Sequence, residues 1–217
     1  RWARNSGGEQ DLRVMTWNVQ YLRLGAEGVA ETVRQVGPDV LFLQEFSGDG
    51  RGAANLEKLS RLLPGYEFKR DGDLCTALRT DRVDLIRSRT VDTRDTMPVP
   101  YIDRPYQVLE LSINGKRWSA VNVHWWPQGY GFSIDRGPLL DRLIRNFGKA
   151  HRVQAALLMS SLPPGSLVVA GDFNRENLGS SLGLLRARLR DAFEESGSGY
   201  GYTMPPAFPV RRIDMIW

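Results

Sequence analysis

Residues 166–174 read SLVVAGDFN, an apolar run that ends in polar side chains. The run from Leu167 to Ala170 is typical of a strand buried in an α/β sheet. Asp172 and Asn174 stand where this predicted strand ends. Taken alone, the two residues can also be explained by an Asx turn and a helix cap.

Three other predicted strands carry polar side chains at their ends. They are residues 12–19 with Asn18, residues 39–45 with Gln44 and Glu45, and residues 116–125 with Asn122 and His124. Each has an ordinary explanation as well: Asn18 can begin a turn, Glu45 can cap a helix, and His124 can be a hydrogen-bonded core residue. Ligand sites in α/β folds lie beyond strand ends, so four such ends predict that these groups converge.

The remaining patterns predict a mixed α/β domain. Helical spacing occurs in four segments, residues 26–36, 53–63, 137–162 and 181–193. Asn114-Gly115 lies between two apolar alternating segments, which predicts a β-hairpin with a two-residue type I′ turn. Strands that alternate with helices, together with a hairpin, favour a mixed sheet. We expect residues 1–217 to form one domain, with a flexible lead-in at residues 1–11.

The composition is that of a soluble globular protein, with 41% apolar and 25% charged residues. The 29 basic and 25 acidic residues give a net charge of +4. This mild excess suits a phosphate-bearing partner, although it is also ordinary for solubility. Cys75 is the one cysteine, so the chain has no internal disulfide and no thiolate metal motif. No stretch approaches the roughly 20 apolar residues of a membrane span.

The chain begins at Arg1 rather than Met, which suggests a processed or excised piece. Its compartment is left open by the sequence. The predicted cluster offers carboxylates, amides and one imidazole. Such hard oxygen donors suit Mg²⁺ or Mn²⁺ better than structural zinc.

Five short segments occur in an order that resembles the endonuclease/exonuclease/phosphatase superfamily. They are TWN (16–18), LQE (43–45), VNVHWW (121–126), GDFN (171–174) and RRID (211–214). This superfamily includes deoxyribonucleases, apurinic endonucleases, sphingomyelinases, inositol-polyphosphate 5-phosphatases and deadenylases. The resemblance implies a four-layer α/β sandwich, in which two mixed sheets pack face to face with helices outside. It also implies a metal-dependent phosphoesterase, and we expect a monomer.

The resemblance assigns roles to the predicted site residues. Glu45 would bind the divalent metal, with Asn18 in the same shell or the next one. Asp172 would orient or deprotonate the attacking water, and Asn174 would position that water or a phosphate oxygen. His124 would donate to the phosphate.

Two further roles follow from the same resemblance. Asn122 would support the groups that bind the substrate. Asp214 would orient a histidine of a later Ser-Asp-His motif, which this chain does not contain; its two histidines are His124 and His151. We therefore expect the chain to lack a last strand, being roughly 25–40 residues short of a family domain. A degenerate family member is the alternative.

The substrate is less determined than the chemistry. Trp125 lies in an aromatic segment after His124, where it can stack on a base, contact lipid or simply pack under the loop. Arg104 lies on a predicted loop from which it can reach a phosphate, or it is an ordinary surface residue. We favour a nuclease-like phosphodiesterase acting on nucleic acid. The alternatives are a lipid or inositol-phosphate phosphodiesterase or phosphatase, and a non-catalytic binding module.

Overall fold

The computed structural model describes residues 12–47, 50–93, 104–127, 151–176 and 180–217. The predicted lead-in at residues 1–11 and the first part of the predicted helix at 137–162 lie outside the described residues. The statements below concern the described part of the chain.

The first sheet has four strands in the order β1-β2-β4-β3. They are β1 Val14–Asn18, β2 Val40–Gln44, β3 Tyr66–Asp71 and β4 Leu74–Arg79. β1 and β2 run parallel, whereas β4 is antiparallel to both β2 and β3. All five residues of β2 are buried, because both faces of this strand are covered.

Two amphipathic helices belong to this half of the chain, α1 Gly25–Val36 and α2 Gly52–Leu62. α1 ends where Gly37 adopts a left-handed conformation and donates its N–H to the Val33 carbonyl. The pattern of buried residues in α1 matches the helical spacing seen in the sequence.

The second sheet has five strands in the order β5-β6-β7-β8-β9. They are β5 Asp84–Val91, β6 Tyr106–Ile113, β7 Lys116–His124, β8 Leu167–Asp172 and β9 Asp214–Ile216. β7 and β8 are parallel and the other pairs are antiparallel. Asn114 and Gly115 both have positive φ, at 51° and 73°, which confirms the predicted two-residue turn between β6 and β7.

Three apolar clusters show how the layers stack. Leu41 and Leu43 of β2 face the cluster that contains α1, whereas Val40 and Phe42 face a cluster shared with the second sheet. On the other side, a third cluster joins the second sheet to the helical residues 151–161, which we label α3. The order is therefore helix, sheet, sheet, helix, as predicted for the fold class.

The prediction of one helix over residues 181–193 is wrong. The structure has a 3₁₀ turn at Ser180–Leu182, then α4 Gly183–Arg186 and α5 Ala192–Ser196. Asp191 begins α5 from an extended conformation, and its carboxylate accepts the backbone N–H groups of Phe193 and Glu194. This cap starts a new helix at a point where the apolar spacing alone suggested a continuous one.

None of the helices within the described ranges is both long enough and apolar enough to cross a membrane.

Candidate active site

The ends of β1, β2, β7 and β8 bring polar side chains from both sheets into contact. The Asn18 amide donates to Glu45 Oε1 and to Asp172 Oδ2, each at 3.0 Å. His124 Nε2 lies 3.8 Å from Glu45 Oε1 and 4.0 Å from Asp172 Oδ2. Asn18 and Glu45 come from the first sheet, while His124 and Asp172 come from the second, so the cluster spans the two sheets.

The backbone at two of these strand ends is in the left-handed region. Glu45 has φ 50° and Asn174 has φ 47°, a conformation that costs an L-residue roughly 1–2 kcal/mol. Hydrogen bonds hold Asn174 there: its N–H donates to Asp172 Oδ1 at 2.8 Å and its side-chain amide to the Trp125 carbonyl at 2.9 Å. The Asx turn considered from the sequence is therefore present, and it orients the Asp172 carboxylate.

Gly171 allows β7 and β8 to come close beside the cluster. A Cβ atom on Gly171 would collide with the carbonyl oxygen of Val123, its partner in the parallel pair. The glycine of the GDFN segment is thus required for the two strands to place His124 opposite Asp172.

His124 is held by a carboxylate that the sequence analysis missed. Its Nδ1 lies 2.6 Å from Asp73 Oδ2, which also accepts from Arg104 Nη1 at 2.8 Å. Because a carboxylate only accepts, Nδ1 carries the hydrogen, and Nε2 is the nitrogen that faces Glu45 and Asp172. His124 is 2% exposed, and its Nε2 has no hydrogen-bond partner among the described residues.

The charges around Asp73 favour its ionised form. Burial acts to raise the pKa of this carboxyl, but the hydrogen bond and charge of His124 and the charge of Arg104 outweigh it, so the pKa lies below its ordinary value. Asp73 lies in the turn between β3 and β4, where a polar residue is expected for structural reasons alone. The sequence offered one indication that His124 has an acidic partner: a histidine at the end of a buried strand needs an acceptor for its ring N–H.

Arg104 lies beside this pair, with Nη1 2.9 Å from His124 Nδ1. The predicted loop residue therefore lies next to His124, with its charge directed at Asp73, and its contact with a phosphate stays a prediction.

Asp172 and Asp214 are opposite each other on neighbouring antiparallel strands. Burial raises the pKa of the Asp172 carboxyl above its ordinary value, and the charge of Glu45 adds to this effect. Burial, followed by the charge of Asp172, raises the pKa of Asp214 to about 7. Asp214 Oδ1 has no hydrogen-bond partner in the described part of the chain. His151 is not the histidine that Asp214 would orient, because its Nε2 lies 2.9 Å from the Trp126 carbonyl oxygen.

Two predicted substrate-binding residues are not at the surface of the site. Trp125 is fully buried in the cluster that contains α3, stacked on His151 at 5.9 Å and edge-on to Phe173 at 5.0 Å. It therefore packs in the core and does not reach a substrate. Asn122 is also fully buried, and its amide oxygen accepts from Gln44 Nε2 at 2.8 Å between the sheets. Of the alternatives considered for Trp125, packing under the loop is the one that its burial supports, and the supporting role of Asn122 stays a prediction.

The donor set fits a hard divalent cation. The Glu45 side chain is 26% exposed, so its carboxylate can be reached by a cation from solvent. Asp172 and Asp214 add buried carboxyl oxygens nearby. The Asn18 oxygen accepts the Gln20 N–H at 3.1 Å, so Asn18 orients the carboxylates with its amide hydrogens. No group of three His, Cys, Asp or Glu residues forms a closed metal cage within the described ranges. Mg²⁺ needs no such cage, because it keeps several waters and is bound through one or two carboxylates.

Comparison with known proteins agrees with this architecture. A model of the Endonuclease/Exonuclease/phosphatase family matches residues 15–217. A search of curated protein sequences found no match.

Several solved structures share the fold. TDP2 from D. rerio, humanized by 14 mutations, has a TM-score of 0.70 and 20% identity, covering 94% of this chain and 82% of that one. D. rerio TDP2 complexed with a single-strand DNA product has a TM-score of 0.68 and 22% identity, again covering 94% of this chain and 82% of that one. Mannosyl-6-phosphatase from Bacteroides thetaiotaomicron has a TM-score of 0.69 and 19% identity, covering 95% of this chain and 84% of that one.

Proposed function

The chain belongs to the endonuclease/exonuclease/phosphatase family, and on that premise we propose that it is a metal-dependent hydrolase of phosphate esters. One observation carries the proposal. The Asn18 amide bridges Glu45 and Asp172, with His124 Nε2 within 4.0 Å of both carboxylates. Acid, base and charged groups thus surround one point where a phosphate ester can react.

Asp172 is the general base of this proposal. Its carboxylate is almost fully buried, and burial raises its pKa, which makes the ionised form a stronger base. Oδ2 accepts from Asn18 and Oδ1 from the Asn174 N–H, so its orientation is fixed before a substrate binds. A water beside this carboxylate loses its proton to Asp172 as the water oxygen bonds to phosphorus. The P–O bond to the leaving group breaks in the same step, and the leaving oxygen takes a proton from solvent. Asn174 would position that water through its side-chain oxygen, since its side-chain nitrogen already donates to the Trp125 carbonyl.

His124 stabilises the charge that develops on the phosphate. Its Nδ1–H is committed to Asp73, so Nε2 faces the reacting group. A protonated Nε2 donates to a phosphate oxygen, and the Arg104 guanidinium adds positive charge beside it. Phosphoryl transfer depends mainly on this kind of positioning and charge neutralisation.

Glu45 would hold the divalent metal, Mg²⁺ or Mn²⁺, with its partly exposed carboxylate. When bound, such an ion supplies a Lewis acid that polarises a phosphate oxygen. Asp214 would contribute a further, partly buried carboxyl from its position opposite Asp172 on the neighbouring strand.

Single-stranded nucleic acid is the substrate we propose first. Tyr200 and Tyr202 are stacked at 5.3 Å with 11° between their planes, and both are exposed. They precede Thr203, whose Oγ1 accepts the backbone N–H groups of Ile213 and Asp214 at 3.2 and 3.3 Å. Exposed aromatic faces in the segment that is bonded to the backbone of Asp214 are suited to base stacking. The likeness to TDP2 with a single-strand DNA product supports the same choice.

A phosphate monoester of a sugar is the second candidate. The likeness to a mannosyl-6-phosphatase, at a TM-score of 0.69, favours it. The two candidates differ in whether the ester group beyond the phosphate is small or a polymer, and this is directly testable.

The test is a substrate panel with Mg²⁺ or with a chelator. It contains end-labelled single-stranded DNA, RNA, sphingomyelin, inositol phosphates, mannose 6-phosphate and bis(p-nitrophenyl) phosphate. We expect cleavage of single-stranded DNA that EDTA abolishes and that Asp172→Ala and His124→Ala remove. Asp81→Asn is the matched control, because Asp81 is an exposed aspartate paired with Arg79 at the surface. Turnover that survives EDTA or both alanine variants would refute the mechanism, and cleavage of mannose 6-phosphate alone would select the second candidate.

A further inference from the structure

The proposed active site is assembled from two separate sheets, which makes their relative position part of the chemistry. Glu45 follows β2 of the first sheet, whereas His124 ends β7 of the second. A misplacement of about 1 Å between reacting groups can cost roughly a hundredfold in rate. The apolar layer between the sheets can pack in more than one register, since apolar contacts are not directional.

A buried hydrogen bond crosses that layer directly behind the site. Gln44 Nε2 donates to Asn122 Oδ1 at 2.8 Å, and both side chains are fully buried. Gln44 immediately precedes Glu45, and Asn122 lies two residues before His124 on the same face of β7. The bond therefore joins the two strands at the positions next to their functional ends.

Asn122 is also fixed against the backbone of the first sheet. Its Nδ2 lies 3.2 Å from the Leu43 carbonyl oxygen and 3.3 Å from that of Cys75. The side chain thus spans from the second sheet to two strands of the first. Sliding either sheet would leave these buried polar atoms without partners, at a cost that apolar contacts do not impose.

Thr16 extends the connection to the third strand of the cluster. Its hydroxyl donates to Gln44 Oε1 at 3.3 Å, and it lies two residues before Asn18. Each of the three side chains therefore stands one or two residues behind a residue of the proposed site.

We propose that the Gln44–Asn122 pair, extended by Thr16, is a positioning device that holds Glu45 against His124. The inference rests on the proposed function, in which those two residues act on one phosphate. Neither Gln44 nor Asn122 touches the substrate, so both act through the residues that follow them.

The first test compares stability and turnover in a double-mutant cycle. Gln44→Met leaves Asn122 Oδ1 without its donor, and Asn122→Leu removes the acceptor. We expect each single variant to lower Tm and to lower kcat for bis(p-nitrophenyl) phosphate about ten- to a hundredfold, with KM little changed. In the double variant neither side chain leaves the other unpaired, so it should recover the part of the loss in Tm that comes from the Gln44–Asn122 bond, but not the loss in kcat. Recovery of kcat together with Tm would overturn the proposal in favour of a purely structural role.

Gln107→Met is the matched control. Gln107 is buried, and its Oε1 accepts from Thr76 Oγ1 at 2.6 Å in a second bond between the sheets. It does not adjoin a site residue in sequence. Thr76 Oγ1 also accepts from Asn122 Nδ2 at 3.3 Å, so this control removes a neighbouring bond and leaves the Gln44–Asn122 bond in place. We expect a similar loss of Tm with a much smaller loss of kcat. An equal loss of kcat in this variant would show that any buried polar deletion has the same effect, and would count against the proposal.

The second test does not depend on turnover. The chain has two histidines, so ¹⁵N-histidine NMR resolves His124 with His151 as an internal reference. In the otherwise unaltered protein, Glu45→Gln should shift the His124 imidazole signals and leave those of His151 in place. In the Gln44→Met/Asn122→Leu variant, Glu45→Gln should shift the His124 imidazole signals clearly less than it does in the otherwise unaltered protein. An unchanged shift would refute the positioning role even if hydrolysis is found, whereas a reduced shift in a protein without hydrolysis would support it while the proposed function fails.

Discussion

Replacing Asp214 with asparagine should stabilise the protein at neutral and alkaline pH. Burial, and next the nearby charge of Asp172, raise the pKa of Asp214 from its ordinary value of 3.8 to about 7. The folded state therefore holds the Asp214 proton more tightly than the unfolded state does. The stability that this provides is fully present below about pH 4 and is lost as the pH rises through about 7.

The size of the effect follows from that shift. One pK unit corresponds to about 1.4 kcal/mol, so ionising Asp214 in the folded protein costs at most about 4 kcal/mol at alkaline pH. Between about pH 5 and pH 8 this carboxyl should account for a loss of about 3 kcal/mol. The asparagine side chain keeps the shape of the aspartate and carries no charge, so the variant should be spared this loss.

Urea unfolding at about pH 5 and about pH 8, with EDTA present, measures the difference. The unaltered protein and Asp214→Asn are compared at each pH, with Asp81→Asn as a control for an exposed aspartate. We expect Asp81→Asn to follow the unaltered protein and Asp214→Asn to lose about 3 kcal/mol less over this range. Under the proposed function the same variant should also lose hydrolysis, so stability and activity would move in opposite directions. Equal losses of stability in all three proteins would refute the reasoning.

Three further predictions concern residues that hold the cluster or its strands in place. Asp73→Asn should lower kcat about ten- to a hundredfold, because it removes a charged acceptor worth roughly 1.5–3 kcal/mol to the histidine it holds; steady-state hydrolysis measures this, and an unchanged kcat would contradict it. Gly171→Ala should lower the free energy of unfolding by roughly 3 kcal/mol or prevent folding, since the new Cβ meets a backbone carbonyl of β7; a Tm equal to that of the parent would show that the strands can separate there. Asp191→Ala should cost roughly 3–5 kcal/mol in a urea titration, because it leaves buried Arg212 without the carboxylate that it bonds through two 2.7 Å contacts. The double variant Asp191→Leu/Arg212→Met should regain much of that loss, and a further loss would argue against this explanation.

Most of the fold was predictable because its elements have strong local patterns. The apolar runs of β2 and β8, the helical spacing of α1 and the Asn114-Gly115 turn each depend on residues that are close in sequence. The interruption at Asp191 was not predictable in the same way. Its capping role is completed by Arg212, which is distant in sequence, and the apolar spacing around it continues across the break.

The site was predicted in part for a similar reason. Polar residues at the ends of buried strands have few structural explanations in combination, so Asn18, Glu45, His124 and Asp172 were identified together, and the structure places them in contact. Their individual roles remain predictions. Asp73 lies in a polar turn, and its link to His124 exists only in three dimensions.

Trp125 and Asn122 both lie away from the exposed part of the site, although they are close to His124 in sequence. Side chains alternate between the faces of a strand, so Trp125 lies with Val121 and Val123 on the face covered by α3. Asn122 shares a face with His124 but lies deeper between the sheets, where it meets Gln44. Alternation was visible in the sequence, whereas the depth of each residue was not.

The central claim is that the cluster around Asn18 is a phosphoesterase active site, and the most direct measurement is cleavage of end-labelled single-stranded DNA. The protein is assayed with Mg²⁺, with EDTA, and as the Asp172→Ala and Asp81→Asn variants. The account predicts cleavage with Mg²⁺ by the unaltered protein and by Asp81→Asn, and none with EDTA or with Asp172→Ala. Cleavage by Asp172→Ala at the unaltered rate, or cleavage of no phosphate ester in the panel by the unaltered protein, would contradict it.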